Sequence, residues 1–123
     1  ANLGAVGAAP LFTTTGEIVV AILVPFCTTS LTEALATATL ALGVTGSTSL
    51  FIAATTAVDI DANEFWVDTV PDANGVAIPA ALKAVAITDD IVGTVAVIEI
   101  LDGIIRFECY WRPLSADANL VAV

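Results

Sequence analysis

The chain reads as all-β: an antiparallel β-sandwich or barrel, jelly-roll-like, with an extended N-terminal arm. Three observations predict this. Thr, Val, Ile and Ala dominate the 123 residues, and β-branched side chains suit pleated, half-buried surfaces. Seven or eight short apolar runs are spaced by turn residues, without a long helical period. Asp102-Gly103 stands between two runs that alternate in polarity, a strong hairpin signal.

Residues 1–15 (ANLGAVGAAPLFTTT) are uncharged, rich in Gly and Ala, and contain Pro10. They lack sustained periodicity and are expected as an extended arm ordered by a neighbour, with Leu11 and Phe12 as candidate interface residues. Residues 16–123 are expected as a single domain. Glu17 to Val24 is a compact apolar run stopped by Pro25, the pattern of a central strand.

Ser30-Leu31-Thr32-Glu33 matches a helix capping box. Against it, residues 36–44 alternate strictly, with Ala36, Ala38, Leu40, Leu42 and Val44 on one side. Period two over nine residues outweighs a four-residue motif, so a strand is expected. Ser49 to Val58 follows a turn at Gly46 and should pair back on it. The 25 uncharged positions of 34–58 are long enough for a membrane span, but they hold eight Thr or Ser and two Gly. Two strands and a turn explain them better.

Asp59 to Gly75 is an acidic loop region with Phe65-Trp66-Val67 as a short strand or anchor, and Asn74-Gly75 marks a turn. Residues 80–88 follow Pro79 and read as a strand in preference to a short helix. In the main hairpin a two-residue turn at Asp102-Gly103 places Ile100 opposite Ile105, Glu99 opposite Arg106 and Ile98 opposite Phe107. Ile105, Phe107, Cys109 and Trp111 then share an apolar face, and Arg106, Glu108, Tyr110 and Arg112 share a polar one, with Glu99–Arg106 as a cross-strand ion pair. Pro113 ends the strand. Leu120 to Val123 is expected as an edge strand.

The formal charge is −10, with three basic residues (Lys83, Arg106, Arg112) and no His. That balance argues against nucleic acid, which needs a basic patch, and against anionic membranes. With no basic residue before Lys83, a secretory n-region is not expected. A hydrophobic fraction of 58% exceeds the roughly 45–50% of soluble domains, so some apolar surface is expected to meet a partner. Cys27 and Cys109 allow one disulfide, but free thiols are the stronger expectation.

Catalytic resources are thin. Lack of His removes Ser-His-Asp and Cys-His nucleophile systems and most zinc sites. Asp59-x-Asp61-x-Asn63 copies the opening of a calcium loop, but Glu64 stands where Gly is needed and Val70 where the bidentate Glu belongs. No metal, cofactor or catalytic residue is therefore assigned. Asp89-Asp90 reads as a turn. Trp66, Tyr110 and Arg112 are of the types that anchor interfaces, and Trp66 beside the acidic loop also admits a carbohydrate-binding reading.

Asp102-Gly103, Phe107 and Trp111-Arg112-Pro113-Leu114-Ser115 resemble a block in small β-rich bacteriophage virion proteins. The run Leu50-Phe51-Ile52-Ala53-Ala54-Thr55-Thr56 before the Asp59–Trp66 loop resembles the same group, as does Thr13-Thr14-Thr15-Gly16 before an apolar strand. The resemblance implies a non-enzymatic structural subunit of the virion. Its expected form is a capsid decoration (cement) protein, a homotrimer bound across major capsid protein subunits on the shell and assembled in the host cytoplasm. A tail or fibre component is the alternative.

Overall fold

The computed structural model describes residues 2–123; Ala1 lies outside them. Ten strands follow in order: β1 (Gly7–Thr15), β2 (Ile18–Thr32), β3 (Thr39–Val44), β4 (Ser47–Thr56), β5 (Glu64–Phe65), β6 (Asp72–Ala73), β7 (Lys83–Ile87), β8 (Ile91–Ala96), β9 (Asp102–Pro113) and β10 (Asn119–Ala122). One-turn 3-10 helices at Ala57–Asp59 and Ala80–Leu82 are the only helical pieces among the described residues. All pairings are antiparallel. One sheet runs β10-β1-β8-β3-β4; in the other, β2 has β9 along one edge and β7 and β5 along the other, with β6 outside β5. The two sheets curl into a half-barrel, an all-β sandwich-like architecture as expected. No described helix is long and apolar enough to cross a membrane.

The predicted β3–β4 hairpin forms, but β3 begins only at Thr39, and Ala36, expected on the apolar side of the strand, is exposed in the preceding bend at φ +55°. Val44 pairs with Ser47 across Thr45-Gly46, and Ala38, Leu40, Leu42 and Val44 point into the core. Residues 34–58 are thus a turn, two strands and a short 3-10 turn. The capping box starts no helix: β2 runs to Thr32, and the Glu33 carboxylate instead accepts from the Ala38 amide, holding the bend into β3. Residues 80–88 combine both readings, one 3-10 turn and then β7. Leu120 to Ala122 lie in β10, at the sheet edge beside β1.

Three expectations are corrected. Gly7–Thr15, expected within an arm, is strand β1, paired with β8 over Gly7–Phe12 and with β10 over Phe12–Thr15. Pro10 is tolerated because β1 there has only β8 beside it, so an open edge takes the position that lacks an N–H.

Pro25 does not stop β2. Its carbonyl accepts from the Trp66 amide (3.1 Å), so its backbone polar groups aim at the β7/β5 side, in the gap between Ile22↔Lys83 and Phe26↔Phe65. No ladder bond is lost there.

The hairpin at Asp102-Gly103 does not form. Val97 takes φ +77°, ending β8 in the first sheet, and residues 97–101 carry the chain across to the second. β9 then pairs with β2, from Ile18↔Pro113 to Thr32↔Asp102. Ile98, Glu99 and Ile100 therefore face none of the residues expected opposite them. Gly103 keeps the positive φ (+128°) that a turn would have used, but its role is close approach: a Cβ there would strike the Leu31 side chain on β2.

The core lies between the sheets, and its largest fully buried side chain is Trp66. The indole Nε1–H donates to Thr55 Oγ1 (3.0 Å), which in turn donates to the Ala53 carbonyl, so the buried ring leaves no donor unpaired. Phe107 meets it edge-on at 6.4 Å. Near the Val44–Ser47 turn, away from Thr55, Gly43 lets β3 and β4 touch; a Cβ there would run into the backbone of Ser47 and Thr48.

Candidate interaction surface

The half-barrel is open between β9 and the β1–β10 edge. A groove of about 500 Å³ lies in the opening, lined by Leu3, Leu11, Phe12, Leu31, Ile105 and Phe107 among others. The inner face of β9 keeps its predicted period. Ile105, Phe107, Cys109 and Trp111 pack on the core yet stay half-exposed, because no strand closes over them.

The outer face of β9 carries Asp102, Ile104, Arg106, Glu108, Tyr110 and Arg112, all exposed. Arg106 does not pair with Glu99. Its Nε lies 3.2 Å from Glu108 Oε1, two residues along the same strand, and its guanidinium sits 5.2 Å from the Phe26 ring centre on β2. Tyr110 donates to the other Glu108 oxygen at 3.4 Å. Two of the three basic residues in the chain therefore lie on one strand. Exposed pairs of this kind add little stability, at most about 1 kcal/mol, so their value lies in patterning the surface.

β9 pairs with β2 alone among the described strands, which leaves its other edge open over twelve residues. All three register shifts in that pairing place the extra residues on β2, between Val20 and Ile22, Cys27 and Thr29, and Thr29 and Thr32. The bends are absorbed by β2, and β9 stays regular from Ile104 onward. Because the Pro25 backbone turns away from β9, Phe107 opposite it turns its own N–H and C=O away from β2. Ile105, Phe107 and Cys109 thus present the free polar groups of the edge.

Of the expected interface residues, the structure brings Leu11 and Phe12 to the groove and Tyr110 and Arg112 to the neighbouring face of β9. Trp66 is fully buried. Its ring cannot stack on a sugar, which removes the residue on which the carbohydrate-binding reading rested. Ile104, Ile105 and Phe107 belong to the surface but carried no signal beyond strand alternation.

Several acidic residues serve the backbone. Asp90 Oδ1 accepts from Thr14 N (2.8 Å), Asp89 Oδ2 from Gly46 N (3.3 Å), and Glu64 Oε1 from Asp61 N (2.8 Å). No group of three or more potential metal ligands converges among the described residues. Cys27 and Cys109 are free thiols. They lie four positions apart along the β2–β9 ladder, about 13 Å, beyond disulfide reach. Burial pushes the Cys109 thiol up to about 11, and burial likewise raises Cys27.

No family model, curated protein or solved structure matches the chain.

Proposed function

We propose that the chain is a non-enzymatic structural subunit of a bacteriophage particle, a head decoration protein that self-associates and binds across major capsid protein subunits. The observation that carries this reading is the half-exposed apolar groove beside a long open strand edge. Such a surface gains most by being covered, through apolar burial and main-chain pairing together. The resemblance of the Trp111–Ser115 block to phage virion proteins points the same way, and so does a composition more apolar than one small domain needs.

The test is co-sedimentation with empty shells of a candidate phage, comparing the wild type with Phe12→Asp, which places a carboxylate in the groove wall. Wild-type protein should travel with the shells and raise their resistance to heat, and the variant should stay in the supernatant. If wild type and variant both ignore shells from every phage tried, or bind them equally well, the proposal is lost.

A further inference from the structure

A free twelve-residue strand edge is a liability that proteins ordinarily blunt with bulges, prolines or short strands. Here the bulges fall on β2 and the edge of β9 is left regular. The exposed face of β9 also has an order that one chain does not need. Read from Asp102 to Arg112 at every second residue, it runs acidic, apolar, basic, acidic, aromatic, basic. Read backwards with the charges inverted, the sequence has the same form.

We propose that the outer edge of β9 pairs antiparallel with β9 of a second copy, about a two-fold axis at Phe107, joining two half-barrels through one continuous sheet. In this register Arg106 stands opposite Glu108 of the other copy, Ile104 opposite Tyr110, and Asp102 opposite Arg112. Each relation occurs twice, as two-fold symmetry requires.

The register is singled out by charge together with paired length. Antiparallel partners must match in backbone orientation, so the axis moves only by whole residues along the strand. Moving it one residue toward the N-terminus sets Arg106 against Arg106; one residue the other way sets Glu108 against Glu108. Two residues in either direction opposes Asp102 to Glu108, or Arg106 to Arg112. Shifts of three, onto Ile104 or Tyr110, again oppose unlike charges (Asp102 with Arg106, or Glu108 with Arg112), but they pair only residues 102–106 or 107–113 of each strand; the register centred on Phe107 opposes unlike charges throughout and pairs residues 102–112.

Backbone geometry agrees. Ile105, Phe107 and Cys109 point their free N–H and C=O outward, so Phe107 meets its own copy as a hydrogen-bonded pair. Arg106 and Glu108 then meet as non-hydrogen-bonded pairs, where facing side chains come closest. On the inner face Gly103 falls opposite Trp111, leaving space for the indole, and the half-exposed apolar row is covered from the side. The symmetry is two-fold, in place of the three-fold form that the phage resemblance implies, and the inference stands whether or not the chain belongs to a particle.

Sedimentation velocity with the intact chain tests this, using wild type, Arg106→Glu and Glu108→Arg. Each variant turns both central pairs from attraction to repulsion. Wild type should form a species of twice the 12.5 kDa chain mass, weakened by salt. Each variant alone should dimerise at least about tenfold more weakly. An equimolar mixture of the two should recover a one-to-one dimer, because every opposed pair is again unlike in charge. Recovery also shows that both variants are folded. A wild type that stays monomeric or forms trimers overturns the proposal, as do variants that dimerise normally or a mixture that does not recover.

Discussion

Two aromatic sites in the half-barrel are built from similar residues and settled in opposite ways. In the core, Trp66 is fully buried and its N–H is bonded to Thr55. Beside it, Phe107 and Trp111 are aromatic too, but they lie along a strand with a neighbour on one side only. The Trp66 site completes itself within one chain, whereas the inner face of β9 has the chemistry of an interior and the geometry of a surface. Hydrophobic content alone does not separate core from interface; what separates them is whether a second layer arrives from the same chain.

This contrast can be broken by substitution. The largest effect is expected for Trp66→Ala, which should cost about 3–5 kcal/mol in chemical denaturation because it empties a site that cannot collapse. Phe107→Ala should cost less, about 1–2 kcal/mol for the monomer, since that ring is only partly buried. Equal costs would mean that the inner face of β9 is as closed in solution as the Trp66 site.

A smaller effect is expected from pH. The Cys109 thiol is raised by burial to about 11 from 9.0, so the folded state holds its proton where the unfolded chain releases it. Its contribution to stability is whole below about pH 9 and is lost as pH rises through about 11. Cys109→Ala should flatten that alkaline loss in a pH series of thermal melts, and an unchanged slope would refute the assignment.

The smallest effect is expected at Thr94 on β8, whose hydroxyl is buried without a partner among the described residues. Thr94→Val should leave stability unchanged or raise it by about 1 kcal/mol, read as a small upward shift in melting temperature.

What was legible in the sequence follows the range of the interaction. The β3–β4 hairpin was readable because its turn and both partners lie within eighteen residues. The two faces of β9 were readable because side-chain alternation belongs to the strand itself. Its partner was not. Period two says which face is apolar but nothing about which strand lies alongside, and the Asp102-Gly103 signal, sound as local chemistry, was overridden when Val97 turned the chain between sheets.

β1 was missed because Gly, Ala and Pro give little contrast between faces. The fate of Trp66 was hidden because its hydrogen-bond partner, Thr55, sits on β4, while Trp66 itself lies just beyond β5 in a loop. Of the candidate surface, Tyr110 and Arg112 could be picked out by residue type. The groove that brings Leu11 and Phe12 near Phe107 exists only once both sheets are assembled.

The pairing of β2 with β9 also has a consequence in time. Even its nearest positions, Thr32 and Asp102, are seventy residues apart, and β1 must wait for β10 at the far end of the chain. Contacts this distant close late, so the domain belongs with the slow folders, on a scale of roughly milliseconds to seconds. During that interval β2 and β9 both lie unpaired, and the charge order of β9 is already complete. At high chain concentration two β9 segments can meet before either finds its own β2, and refolding yield should then fall as protein concentration rises.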